Sequence, residues 1–218
     1  MEKERLLCPS MMCANFENLG KEIEMLEKAG VDIFHLDVMD GQFVPNFGMG
    51  LQDIEYICSK AKIEKDVHLM IENPGNYIDT FADLGVNIIY IHPESDRHPM
   101  RTLQKIIKRG IKPGIAINPG TSIETIYELL PHVDYLMVMS VNPGFAGQTY
   151  IDSVNAKIEK LNDLKAEFGF KIMLDGACSP EKIKELSPKG VDGFVLGTSA
   201  LFGKEEEYET ITQRLRTL

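Results

Sequence analysis

The sequence predicts a (β/α)₈ barrel, and three observations carry that prediction. Short apolar runs of strand length alternate along the chain with longer amphipathic segments of helical periodicity. A Gly-Val-Asp or Gly-Val-Asn triplet closes a helical segment and opens a strand at residues 30–32, 85–87 and 190–192. The spacings, 85 − 30 = 55 and 190 − 85 = 105 residues, fit two and four units of about 27 residues, a natural βα length, and 218 residues then hold eight units.

The elements can be placed in order along the chain. Apolar runs predict strands at about residues 6–12, 33–38, 65–70, 87–92, 113–118, 134–140, 171–175 and 193–197. Helical periodicity is clear at residues 77–84, 100–109, 123–130 and 151–168. We expect Asn15 to cap the first helix. The buried face of that helix should carry Phe16, Leu19, Ile23 and Leu26. A doubly wound open sheet is the alternative fold, because periodicity alone does not separate it from a barrel.

Composition bounds the class of protein. The chain has 218 residues, 44% of them hydrophobic, and no linker or composition break, so we expect a single domain over residues 1–218. The net charge of −10 is spread along the chain, which argues against nucleic-acid and anionic-membrane binding. No apolar run approaches the ~18 residues of a membrane span. The four cysteines show no disulfide spacing, so we expect a cytoplasmic protein with reduced thiols.

The strand at residues 33–38 contains the pattern on which the predicted site depends. Apolar and polar residues alternate there, so His35 and Asp37 share one face of the strand. A histidine and a carboxylate so placed can bind one metal ion, although an isolated pair more often marks a strand with a solvated polar face. Two other strands add candidate ligands, since one ends near His68 and another at Asp175, which is followed by glycine.

The carboxyl ends of the strands meet at one end of a barrel, so we expect His35, Asp37, His68 and Asp175 to form one site. Mixed imidazole and carboxylate ligation suits one divalent ion, Zn²⁺, Mn²⁺, Fe²⁺ or Co²⁺, and does not choose among them. Such an ion would polarise a substrate carbonyl and stabilise an enolate oxygen. Two aspartates on different strand ends would then reach opposite faces of one carbon, as proton removal from one face and return to the other requires.

Three loops rich in small residues, after the sixth, seventh and eighth strands, predict an anion site. One such loop alone is usually only a loop, but barrels commonly bind phosphate in this region. Small residues let backbone N–H groups approach a ligand closely, and the last loop looks like the start of a short helix. The candidate residues are Gly144, Phe145, Ala146, Gly147, Gly176, Ala177, Gly197, Thr198 and Ser199.

Other residues at the strand ends have two explanations. Met39, Met70 and Met139 are explained as core residues by default, and as an apolar lining of the pocket only if the metal site is real. His92 and Glu94, after the fourth strand, are equally well explained as a structural hydrogen-bonded pair or as support for the pocket.

Together these motifs resemble the ribulose-phosphate 3-epimerase family over nearly the whole chain. The matching stretches are residues 9–10, 35–46, 68–70, 92–94, 139–148, 175–176 and 197–199. The resemblance implies a TIM barrel of the ribulose-phosphate-binding type and an isomerase that inverts C3 of a ketose phosphate through a cis-enediolate. It also implies that Asp37 and Asp175 are both metal ligands and the acid/base pair, that Ser10 and His68 contact the sugar, and that the three loops hold the phosphate.

Some residues depart from the typical motifs of ribulose-phosphate enzymes. Ala146 and Ala177 stand where those enzymes typically have glycine, Thr198 stands in place of serine, and Met11-Met12-Cys13 follows Pro9-Ser10. These variants look more like the allulose-6-phosphate 3-epimerase branch, whose substrate has one more carbon. We therefore expect D-allulose 6-phosphate to be favoured over D-ribulose 5-phosphate, in a homo-oligomer as is common in the family.

Two other functions compete with that of an epimerase. A Schiff-base aldolase on this fold would want a lysine projecting from a strand into the barrel, but Lys65 and Lys171 lie at strand starts, the wrong end. A non-catalytic phosphosugar-binding protein, with the aspartates kept only as metal ligands, remains the alternative from another class. It would bind the sugar without exchanging the C3 proton into solvent.

Overall fold

The computed structural model describes residues 5–218, and its strands form one parallel sheet of eight. The strands are β1 (Leu6–Pro9), β2 (Ile33–Met39), β3 (Glu64–Met70), β4 (Ile88–Ile91), β5 (Lys112–Ile117), β6 (Tyr135–Met139), β7 (Lys171–Asp175) and β8 (Gly193–Leu196). They pair in chain order from β2 to β8, and β8 pairs with β1. A parallel bridge between Ser10 and His35 brings β1 to β2. A doubly wound sheet would reverse its strand order, so the barrel prediction is confirmed.

Helices follow the strands around the outside of the barrel. They are α1 (Leu19–Lys28), α2 (Leu51–Lys60), α3 (Ile78–Asp83), α4 (Pro99–Lys108), α5 (Val154–Phe168), α6 (Pro180–Leu186) and α7 (Tyr208–Arg216). The repeated glycines end helical segments as predicted. Gly30, Gly85 and Gly190 have φ of 78°, 81° and 104°, the left-handed conformation that reverses the chain after a helix. No helix within residues 5–218 is long and apolar enough to span a bilayer.

The start of the chain differs from the prediction. β1 ends at Pro9 rather than near residue 12, because proline has no N–H for the ladder and a 3₁₀ turn, Met11–Cys13, follows. Asn15 does act as a cap, since its Oδ1 accepts a hydrogen bond from the Glu17 amide at 3.1 Å. It caps a second 3₁₀ turn, however, and Phe16 in that turn is 45% exposed rather than buried.

The predicted helix at residues 123–130 is also absent as an α-helix. The segment forms two 3₁₀ helices, Ile123–Thr125 and Tyr127–His132. Pro131 lies inside the second one. In an α-helix its ring would clash with the carbonyl of residue 127 and remove a hydrogen bond, so the tighter 3₁₀ form is adopted.

The alternation along β2 sorts its side chains as predicted. Phe34 and Leu36 pack outward in the main apolar layer between strands and helices, while His35 and Asp37 point into the barrel. A second apolar cluster fills the interior below them, with Tyr90 among its largest members. Tyr90 fits because Gly114 on β5 has no side chain, and a Cβ there would lie 2.5 Å from the Tyr90 ring. The interior is thus packed with apolar side chains beneath the cluster of His35, Asp37 and their neighbours.

Candidate functional site

The structure brings the four predicted metal ligands together. One donor atom from each of His35, Asp37, His68 and Asp175 lies within 4.8 Å of the others. His35 Nε2 is 3.2 Å from Asp37 Oδ1 and 4.0 Å from Asp175 Oδ2. His68 Nδ1 is 3.5 Å from Asp37 Oδ1 and 3.6 Å from Asp175 Oδ2. Both histidines are fully buried, so these atoms face one another and not solvent.

This donor set fits a divalent cation. Ligands of a tetrahedral ion at about 2.0–2.2 Å lie about 3.3–3.6 Å apart, close to the spacings found here. Within residues 5–218, His35 Nε2 and His68 Nδ1 are buried nitrogens without a hydrogen-bond partner. The pKa of His35 is raised, because the charges of Asp66 and Asp37 outweigh burial, which by itself would lower it. The cluster therefore favours positive charge at the place where a metal ion would bind.

The two histidines are oriented by different partners. His35 Nδ1 lies 2.5 Å from Oδ1 of Asp66, a fully buried carboxylate on β3 that faces His35 across the ladder. His68 Nε2 lies 2.8 Å from Nε2 of His92, and the two rings stack at 27° with centroids 5.0 Å apart. In each ring the nitrogen that points away from the cluster, Nδ1 of His35 or Nε2 of His68, has a partner. The other nitrogen, which we call the inner one, faces the cluster.

The two aspartates have opposite tendencies to ionise. Burial, followed by the charge of Asp37, raises the pKa of Asp175 to about 6. Burial alone would raise the pKa of Asp37 as well, but the charge and close approach of His35 and His68 lower it below its usual range. Two carboxyl groups whose pKa values are pushed apart in this way are suited to act as a base and an acid.

Ser10 holds Asp37 in place. Its hydroxyl donates a hydrogen bond to Asp37 Oδ2 at 2.6 Å, while Oδ1 of the same carboxylate faces the histidines. The carboxylate thus has one oxygen among the clustered histidines and one toward the pocket that Ser10 also lines.

The pocket above the cluster joins it to the three loops. Its empty space, counted together with the part open to solvent, is about 580 Å³, and Asp37 and Asp175 are among the residues that line it. The other predicted residues that line it are Ser10, Met39, Met70, Met139, Gly144, Phe145, Ala146, Gly147, Gly176, Ala177, Gly197, Thr198 and Ser199. His35 and His68 lie beneath it. The mixture of polar side chains, loop backbone and methionines in this lining suits a small polar ligand.

Comparison with known proteins bears on what this site belongs to. A sequence model of the ribulose-phosphate 3-epimerase family matches residues 6–202. The ribulose-phosphate 3-epimerase of Aquifex aeolicus is 39% identical over 216 residues, 98% of this chain and 96% of the relative. That of Helicobacter pylori is 41% identical over 203 residues, 92% of this chain and 93% of the relative.

The chain belongs to the ribulose-phosphate 3-epimerase family. The predicted resemblance is therefore confirmed, and the protein is an epimerase, which is a kind of isomerase. Solved structures with low sequence identity support the fold alone. A mutant tryptophan synthase α-subunit from Pyrococcus furiosus has a TM-score of 0.72 at 14% identity, over 99% of this chain and 98% of the other. Phosphoribosyl anthranilate isomerase from Thermus thermophilus gives 0.67 at 10%, over 97% and 98%.

The two alanines that depart from the typical family motifs differ in conformation. Ala177 has a φ of 48°, a left-handed backbone that costs an alanine energy and a glycine almost none. Within residues 5–218 it shares a positive φ with only one other non-glycine residue, Asn73. Ala146 has no positive φ and is exposed, so its methyl group is accommodated without strain.

The loop after β8 does not form the short helix that its own residues predict. The amides of Ala200, Leu201 and Phe202 all point to the carbonyl of Gly197, which makes a hydrogen-bonded turn over residues 197–203. The turn still places Thr198 and Ser199 on the pocket wall.

Several residues at the site were missed in the sequence. Asp66 is the most important, although the alternation that points His68 into the barrel points Asp66 inward as well. Asn46 donates a hydrogen bond to the carbonyl of Gly144 at 2.7 Å and so ties the loop after β2 to the loop after β6. Val44 of the same loop packs on Gly144, where a Cβ would lie 3.1 Å away. No local pattern signals a contact across 98 residues of chain.

Proposed function

We propose that this chain inverts the configuration at C3 of a ketose phosphate, with D-ribulose 5-phosphate as its first substrate and a divalent metal as its cofactor. The observation that carries the proposal is the pair of aspartates, Asp37 and Asp175, at the base of one pocket with pKa values shifted in opposite directions. The curated relatives are named as ribulose-phosphate epimerases, among them a chloroplastic ribulose-5-phosphate 3-epimerase of Arabidopsis thaliana at 38% identity, and these names favour the pentulose.

Asp37 is the proton acceptor in one direction of the proposed reaction. It is ionised at neutral pH, and the Ser10 hydroxyl orients Oδ2 toward the pocket. Asp175 is the donor to the other face, because its raised pKa of about 6 keeps it closer to the protonated form. The roles exchange in the reverse direction. A metal ion held by His35, Asp37, His68 and Asp175 would polarise the C2 carbonyl and so acidify the C3 proton.

The loop end of the pocket is suited to the phosphate. Within the part of the chain that the structure describes, no lysine or arginine lines this pocket. Backbone N–H groups of the three loops are thus the donors we propose for the phosphate oxygens. Met39, Met70 and Met139 line the pocket between its two ends and would exclude water from the reacting carbon.

The substrate claim is tested by measuring kcat/KM of the metal-reconstituted protein with D-ribulose 5-phosphate and D-allulose 6-phosphate in one preparation. We expect clear activity on the pentulose. The predicted preference for the hexulose has no support among the curated relatives, but the pocket residues Cys13, Ala146 and Ala177 still favour it as a second candidate. A higher kcat/KM for the hexulose would establish that candidate. Binding of both sugars without C3 proton exchange would instead indicate a binding protein.

A further inference from the structure

The contacts on the outer side of His68 continue beyond His92 to a carboxylate. His92 is fully buried, and its second ring nitrogen, Nδ1, faces Oε2 of Glu94 at 3.4 Å. This contact is longer than a well-formed hydrogen bond, but Glu94 is the carboxylate on that side of the ring. Phe43 packs against His92 with ring centroids 4.8 Å apart and helps to bury that ring, whereas Glu94 is exposed.

Glu94 itself is held by the loop after β5. Its Oε1 accepts hydrogen bonds from the Asn118 amide at 2.9 Å and from the Thr121 hydroxyl at 2.5 Å. Lys157 Nζ donates to the carbonyls of Asn118 and Pro119, both at 2.9 Å, and fixes that loop to α5. Oε1 is therefore committed to two donors, and Oε2 is left to face His92.

The directions of these hydrogen bonds depend on one another. If His68 offers the lone pair of Nδ1 to the metal-ligand cluster, its proton is on Nε2 and is donated to Nε2 of His92. His92 then carries its own proton on Nδ1, directed at the Glu94 carboxylate. An ionised carboxylate accepts hydrogen bonds and cannot donate them. The tautomer of each histidine ring thus determines the tautomer of the other.

We propose that His92 and Glu94 form a relay that sets the tautomer of His68, so that Nδ1 of His68 is kept free to bind the metal ion. His92 and Glu94 are positioning residues, because neither reaches the pocket. The inference rests on the proposed metal site and states how the tautomer of one proposed ligand, His68, is set. It explains why a histidine, which can both donate and accept, lies between His68 and Glu94.

The relay predicts a specific effect of Glu94→Gln. The oxygen of the new amide is retained by the Asn118 N–H, which can only donate, so the –NH₂ group faces His92 Nδ1. His92 must then accept at Nδ1 and donate from Nε2, which places the proton of His68 on Nδ1. We expect the affinity for Zn²⁺ to fall about tenfold, within the range found for outer-shell partners of metal ligands.

The experiment measures the Zn²⁺ dissociation constants of the wild type, Glu94→Gln and a control by competition with a chromophoric chelator. Glu72→Gln is the matched control, because it removes the same charge from an exposed side chain on the neighbouring loop. We expect the control to bind Zn²⁺ within twofold of the wild type. Equal affinity for Glu94→Gln would overturn the relay. No Zn²⁺ binding by the wild type would instead refute the metal site itself.

A second measurement uses only the wild-type protein and does not depend on the folding of a variant. ¹⁵N NMR of the histidine rings in the Zn²⁺-loaded protein reports which nitrogen of each ring carries the proton. The relay requires His68 protonated on Nε2 and His92 on Nδ1. Any other pair of tautomers contradicts it.

A third measurement compares Glu94→Asp with Glu94→Gln. A higher Zn²⁺ affinity of Glu94→Asp, which keeps the carboxylate, would support the relay further.

Discussion

The two ends of the pocket are built from different materials. At the base, the groups proposed for the chemistry are side chains on strands: His35 and Asp37 on β2, His68 on β3 and Asp175 on β7, the last the most exposed at 16% of its side chain. At the other end the loops after β6, β7 and β8 supply mainly backbone, shaped by residues with positive φ such as Gly144 and Gly176. The base is buried and carries ionisable groups, while the shape of the loop end is set by the conformation of the backbone.

This difference predicts how each end responds to substitution. A change at the base removes a chemical group that has no replacement, so activity and charge balance both change strongly. A change at the loop end alters the backbone conformation of one residue. Its effect on the free energy of unfolding should be about 1 kcal/mol. The size and sign of the effects should therefore separate the two ends.

The largest effect is expected for Asp175→Asn. Loss of one of the two proposed acid/base groups should lower kcat for epimerisation by about 10²–10⁴-fold. Asp37 remains, so the epimer whose C3 proton faces Asp37 should still exchange that proton with D₂O, without inversion. ¹H NMR of each epimer in D₂O measures this exchange.

Asp37→Asn is the matched variant for that experiment. It should leave exchange only in the opposite epimer, because Asp175 is then the remaining base. Exchange into the same epimer by both variants would show that the two aspartates do not face opposite sides of the carbon.

The next effect concerns stability of the metal-free protein. The pKa of Asp175 is about 6 in the folded state, against about 3.9 in an unfolded chain. The folded state therefore binds this proton more tightly, and its stability falls as pH rises from about 4 through 6. Asp175→Asn should raise the free energy of unfolding at pH 7 by about 1–3 kcal/mol, and by almost nothing at pH 4. Urea denaturation at both pH values measures the difference.

Zn²⁺ provides the control for that stability effect. With Zn²⁺ at about 100 times the wild-type dissociation constant, binding should add about 2.7 kcal/mol to the wild type and less to Asp175→Asn, which has lost one of the proposed ligands. The stabilising effect of the variant should shrink or reverse. An unchanged difference would show that Asp175 does not take part in metal binding.

The fold and most of the site follow from patterns in the sequence. Strand alternation placed His35 and Asp37 inside the barrel, and the rule that parallel strands end together brought them to Asp175. What could not be predicted depends on register and long-range contact. Asp66 meets His35 because β2 and β3 pair in that register, and Asn46 meets Gly144 because two loops cross the barrel mouth. The 3₁₀ segment at residues 127–132 was missed because its apolar spacing resembles that of an α-helix.

The smallest effects are expected at the loop end, where two alanine-to-glycine changes should have opposite signs. Ala177→Gly relieves a left-handed alanine and should stabilise the protein by about 0.5–1 kcal/mol. Ala146→Gly adds only freedom to the unfolded chain, because Ala146 has no positive φ, and should destabilise by about 0.4–1 kcal/mol. Urea denaturation of both variants measures these free energies.

If both changes shift stability in the same direction, backbone strain at Ala177 does not distinguish the two loops. A gain at Ala177 with kcat unchanged would mean that this strained residue shapes the loop without taking part in the chemistry at the base.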